Sequence, residues 1–136
     1  MSDFTLDYLD HVAIRVKDIE VSASWYEKVL GLKRKIVPEW GNSPVFMLAG
    51  KTGIALFPAT LDDPTIDTTT RNVKIDHFAF HVTMENFAKA RKKYEVLQLE
   101  YIFRDHIYFH SIYTKDPDGH TVELTTIVVD SDTFYA

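Results

Sequence analysis

Histidine stands at matched places in two short stretches, LDHVAIRV at residues 9–16 and IDHFAFHV at residues 75–82. His11 and His77 each follow an aspartate, Asp10 and Asp76, and lie about half the chain apart. A single strand histidine is most often structural, but two at matched positions of a repeat can be brought to one ion. A third group comes from TVELTT, where Glu123 sits between Val122 and Leu124, which face the opposite way. A carboxylate so flanked is costly to bury alone. A metal ion is one partner for it; an exposed edge position is the other reading. The first half has no carboxylate at that place. Matching I-A-L to V-E-L puts Ala55 there, whereas counting on from the two histidines puts Phe57 there. A metal site built this way has His11, His77 and Glu123 as its protein ligands. Two neutral imidazoles and one carboxylate, with open positions, favour Fe(II) or Mn(II), and Zn or Ni remain compatible.

These residues need elements to hold them. From Tyr8, Val12, Ile14 and Val16 alternate with His11, Ala13 and Arg15, a period of two that predicts a half-buried strand. Asp18 is a suitable N-cap for the helix IEVSASWYEKVL, with Ile19, Trp25, Tyr26, Val29 and Leu30 as an apolar stripe and Gly31 at its C-terminal end. Trp25 and Tyr26 fit a core role better than a substrate-facing one. Strands follow at KRKIVP, VFMLAG and GIALFPA, with Gly41-Asn42 and Gly50-Lys51 as turns. The second half repeats the order. Phe78, Phe80 and Val82 oppose His77, Ala79 and His81, Thr83 caps the helix MENFAKARKKYEVL, and strands follow at LEYIFRD, YFHSIYTK and TVELTTIVV. Residues 116–119, DPDG, turn the last pair. The expectation is a single α+β domain over residues 1–136, with βαβββ units at about 8–59 and 75–129 and a polar connector, containing Pro64, at about 60–74. In both units the histidine occupies the face that the unit's own helix does not cover. His81 and Arg15 share that parity.

The bulk composition removes several function classes. A net charge of −5 over 136 residues leaves no broad basic face for nucleic acid. No apolar run is long enough for a membrane span, and the N-terminal residues lack the basic start of a signal peptide, so a cytoplasmic protein is expected. Without cysteine, disulfides, zinc-thiolate sites and thiol nucleophiles are excluded.

The tandem order, with LDHVAIRVKDIEVSASWYEKVLGL, IDHFAFHV and SIYTKDPDGHTVEL, resembles the vicinal-oxygen-chelate superfamily, which takes in glyoxalases, bleomycin-resistance proteins and extradiol dioxygenases. The resemblance implies an open, cup-shaped mixed sheet with helices outside, a homodimer, and metal ligands at His11, His77 and Glu123. It also matches an extradiol signature: His106, IYFHS, Ile112-Tyr113, TK, DPDG, HTV and Glu123, with Arg104 departing just upstream. By that resemblance His106 is an acid–base histidine and Tyr113 a hydrogen-bonding tyrosine. In an unbroken strand His106 and Tyr113 would face opposite ways, and His110 is a competing histidine with a similar parity problem. Glyoxalase I-like isomerases present a fourth ligand that Ala55 or Phe57 denies. Thiol transferases of the same fold share DPDGH followed by a glutamate, but they want a hydroxyl where Ala13 stands, and a basic pocket. The tail after Glu123 holds no Arg or Lys. The leading expectation is an extradiol-type ring-cleaving dioxygenase acting on a small, catechol-like vicinal diol. A glyoxalase-like isomerase or lyase, or a thiol transferase, follows it. A metal-free small-molecule binding or resistance protein is the reading from another class.

Overall fold

The computed structural model describes residues 4–62 and 65–136, so Pro64 of the expected connector lies outside the described residues. Two compact units divide between residues 64 and 65. Residues 65–74 therefore go with the second unit. There the side chains of Ile66 and Thr68 crowd Gly119 of the DPDG turn so closely that a Cβ at 119 would lie 2.9 Å from the first of them.

The first unit runs β1 (His11–Val16), α1 (Ile19–Leu30), β2 (Lys33–Ile36), a 3-10 turn (Pro38–Trp40), β3 (Val45–Ala49) and β4 (Thr52–Pro58). Its four strands form one open sheet in the order β1-β4-β3-β2, with β1 parallel to β4 and the other pairs antiparallel. Asp18 caps α1 by accepting from the Val21 amide, and Gly31 ends it in the left-handed region at φ 67°. The helix buries Ala23, Tyr26 and Val29 together with Ile14, Val16, Met47, Ile54 and Leu56 of the sheet. Gly53 has a packing reason. A Cβ there would stand 2.1 Å from the Met47 carbonyl oxygen, so the β3–β4 pair closes only without one.

The second unit repeats the plan with β5 (Phe78–His81), α2 (Met84–Val96), β6 (Ile102–Asp105), β7 (Phe109–Lys115) and β8 (Thr121–Ile127) in the order β5-β8-β7-β6. The α+β expectation of two tandem βαβββ units with open mixed sheets is met. Two elements go beyond it: the 3-10 turn at Pro38–Trp40 and a short C-terminal helix α3 (Ser131–Tyr135). Among the described residues no helix is long and apolar enough to cross a membrane.

Under α2, Tyr94 is 1% exposed and its hydroxyl finds no hydrogen-bond partner among the described residues. Burial raises its pKa well above the ordinary tyrosine value. The native state therefore keeps this proton at a pH where the unfolded chain, near 10, has lost it, and stability falls as pH rises through that window. Tyr94→Phe removes an unsatisfied polar atom. Urea unfolding is expected to show no loss, or a gain of about 1 kcal/mol, with a weaker alkaline decline than the wild type.

Candidate functional site

In each sheet the face that does not carry the helix carries the histidine. Across β5, β8, β7 and β6 the register aligns Ala79, Glu123, Tyr113 and Ile102. Across β1, β4, β3 and β2 it aligns Ala13, Ala55, Phe46 and Lys35. Ala55, and not Phe57, thus occupies the place that Glu123 holds in the second unit.

His77 Nε2 lies 2.8 Å from Glu123 Oε1, and His77 Nδ1 lies 2.8 Å from Asp76 Oδ2. His77 holds the Asp76 carboxyl below its usual range through this hydrogen bond. A neutral imidazole has one N–H, and with that proton directed to Asp76 the Nε2 lone pair faces the Glu123 carboxylate. Two facing electron pairs call for a proton or a cation between them. Glu123 is 7% exposed, and among the described residues no lysine or arginine pairs with it. This donor set fits a divalent metal. In the first unit His11 repeats the arrangement, with Nδ1 2.8 Å from Asp10 Oδ2, and no hydrogen bond reaches its Nε2 among the described residues. No grouping of three or more His, Asp or Glu side chains able to hold a metal occurs among the described residues. The second unit thus brings two donors together, and His11 stands in the first unit with its own aspartate.

Tyr113 joins the His77–Glu123 pair. Its ring meets that of His77 edge-on at 5.6 Å, and its hydroxyl lies 2.8 Å from His106 Nε2. Burial first, and the nearby Glu123 carboxylate second, raise the Tyr113 pKa, so its hydroxyl stays protonated through neutral pH. The parity conflict between His106 and Tyr113 is removed by a two-residue turn, Ile107–Tyr108. His106 faces Phe109 across that turn, donating its amide to the Phe109 carbonyl at 2.8 Å, and Phe109 shares its face with Ser111 and Tyr113. Ile107 takes φ 72°, a region that β-branched residues avoid, where Asn or Gly is expected. Ile107→Asn is therefore predicted to raise stability by about 1 kcal/mol in urea unfolding. His110 faces the other way. It meets Phe103 edge-on at 5.2 Å, and Phe103 in turn meets Phe87 of α2, so the structure separates it from His77, Glu123 and Tyr113. His81 falls on the site face of β5, aligned with Thr125, and Arg15 falls on the site face of β1, with its guanidinium donating to the Pro58 carbonyl.

The description Glyoxalase/Bleomycin resistance protein/Dioxygenase superfamily belongs to a family model that matches residues 8–124. The chain belongs to this superfamily. Over 125 residues it is 32% identical to the metallothiol transferase FosB of Lysinibacillus sphaericus, covering 90% of this chain and 84% of that protein. It is 29% identical to Glyoxylase I 4 of Arabidopsis thaliana, covering 88% and 70% of the two chains. A crystal structure of a glyoxalase/dioxygenase from Nostoc punctiforme superposes with a TM-score of 0.77 at 20% identity, over 95% of this chain and 97% of that one. The superfamily resemblance seen in the sequence holds. Within it, these curated relatives are a thiol transferase and a glyoxylase, not ring-cleaving dioxygenases. The ring-cleaving expectation therefore yields first place to thiol-transfer and glyoxalase chemistry.

Proposed function

We propose that the chain is a divalent-metal-dependent enzyme that joins a small-molecule thiol to a small oxygen-bearing electrophile, with His11, His77 and Glu123 as metal ligands. The observation that carries this reading is the contact between His77 Nε2 and a buried Glu123 that no lysine or arginine pairs among the described residues, in a chain 32% identical to a metallothiol transferase. When bound, the metal supplies Lewis-acid polarisation of the substrate's oxygens. Asp10 and Asp76 orient the two imidazoles and fix which nitrogen stays free to act as a donor. The chain has no cysteine, so the nucleophilic sulfur must come from a co-substrate. The sulfur–carbon bond forms as a carbon–oxygen bond breaks, and the thiol proton ends on the released oxygen, with no net oxidation. Tyr113 is placed to serve that oxygen. When His106 Nε2–H donates to the tyrosine oxygen, the Tyr113 proton, directed to Glu123 in the metal-free chain, can turn to the developing hydroxyl once a metal engages that carboxylate.

The test is thiol consumption by chain loaded with Mn(II) or Zn(II), against a panel of epoxides, with adducts read by mass beside a reaction lacking the chain. Adducts equal in mass to thiol plus electrophile support the reading. Oxygen uptake with catechols and no thiol loss would move it to the second reading, ring cleavage, which the His106–Tyr113 pairing favours. Homodimerisation belongs to the proposal too. β1 and β5 each lie at an edge of their sheets, next to the exposed apolar residues Leu6, Leu9 and Ile75.

A further inference from the structure

The repeat places an aromatic residue beside each unit's histidine and then treats the two differently. In the second unit that residue is Tyr113, edge-on to His77 and bonded to His106 from the β6–β7 turn. In the first unit it is Phe46, edge-on to His11 at 5.1 Å and met at 5.7 Å by Trp40 from the β2–β3 connection. The proton-handling pair of one unit is thus an apolar aromatic pair in the other. Trp40 is 50% exposed, far more than packing against Phe46 alone requires. Along the neighbouring strand, three consecutive cations divide between the faces. Arg34 turns toward α1 and pairs with Glu20 and Glu27. Lys33 and Lys35 align with Leu48 and Phe46, on the face of His11, and no acid pairs with either among the described residues. Lys35 stands directly across from Phe46, about 5 Å away at the Cβ atoms in such a register.

We propose that Trp40, Phe46 and Lys35 form a binding subsite for a planar group carrying an anionic substituent, such as an aryl or conjugated carboxylate or phosphonate. The rings offer a stacking surface and the lysine an unpaired charge for the anion. The inference deepens the proposed function and rests on it for the reaction, while binding itself is measurable without turnover.

The experiment titrates the full chain with phenylphosphonate, using calorimetry and tryptophan fluorescence. Methylphosphonate serves as the anion without a ring and benzyl alcohol as the ring without an anion. Saturable binding of phenylphosphonate is expected, with both partial probes much weaker. Lys35→Ala and Trp40→Leu should each weaken it by about fivefold, and Lys35→Arg should restore it. Glu123→Gln, which removes a metal ligand of the second unit, should retain it. Unchanged affinity in Lys35→Ala and Trp40→Leu overturns the subsite, as does an absence of binding to the wild type. Loss of binding in Glu123→Gln alone moves the probe to the metal and overturns it as well. Probe binding as expected, with no thiol transfer, sinks the reaction and leaves the subsite standing.

Discussion

Glu123→Gln is expected to lower metal affinity by more than about 100-fold, and thiol-transfer activity with it, because the substitution keeps the shape and removes the carboxylate that faces His77 Nε2. Neighbouring aspartates such as Asp76 only orient a donor, so their loss should cost less, about 10–100-fold. The same change is expected not to lower the urea midpoint of the metal-free protein. Glu123 is buried with His77 Nε2 and the Tyr113 hydroxyl as its partners, and the neutral amide keeps both contacts without a buried charge. Calorimetric titration with Mn(II) and Zn(II), alongside urea unfolding of the apo forms, reads both halves. A variant that binds metal as the wild type does would remove Glu123 from the ligand set.

Tyr113→Phe carries the second large effect. It deletes the hydroxyl held by His106 while keeping the ring against His77, so kcat should fall by about 100-fold with metal content unchanged. The pH dependence gives the role a signature. Burial, the larger cause of the tyrosine's raised pKa, does not depend on the charge of Glu123, so the hydroxyl should remain a donor through neutral pH, and wild-type activity should not decline there through loss of this proton. His106→Gln should give a smaller fall, since the tyrosine remains. Equal kcat in Tyr113→Phe and wild type would assign the hydroxyl to structure alone.

Much of this was legible in residue order because alternation is a strong signal. Val12, Ile14 and Val16 against His11, Ala13 and Arg15 divided the first strand into its two faces, and Phe78 and Phe80 against His77 and Ala79 did the same in the second unit. The His-plus-carboxylate pairing was legible because Glu123 interrupts an apolar strand. Whether Ala55 or Phe57 stands in for it was not, since that depends on register, and the pairing of Ala13 with Ala55 decides it. His106 and Tyr113 looked incompatible because parity counting assumes a continuous strand. The intervening turn restores the match, and its positive φ falls on an isoleucine, a residue type that gives no warning of it. His110 looked equal to His106, but it lies within β7, where alternation puts it opposite Tyr113 and on the α2 face. Nothing in the residue order singled out Trp40 of the proposed subsite. It lies in a 3-10 turn, where neither a period of two nor one of 3.6 applies, and only its contact with Phe46 marks it. The C-terminal helix α3 was missed for a related reason, since five residues are too few to show a helical period.

The proposed ligand set, His11, His77 and Glu123, would hold one divalent metal. Elemental analysis of the chain purified without chelator, wild type beside His11→Ala, His77→Ala and Glu123→Gln, tests it most directly. About one divalent ion per chain is expected in the wild type and well under a tenth of that in each variant. A wild type without metal that also fails to take up Mn(II), Fe(II), Zn(II) or Ni(II), or three variants that keep their full complement, would contradict it.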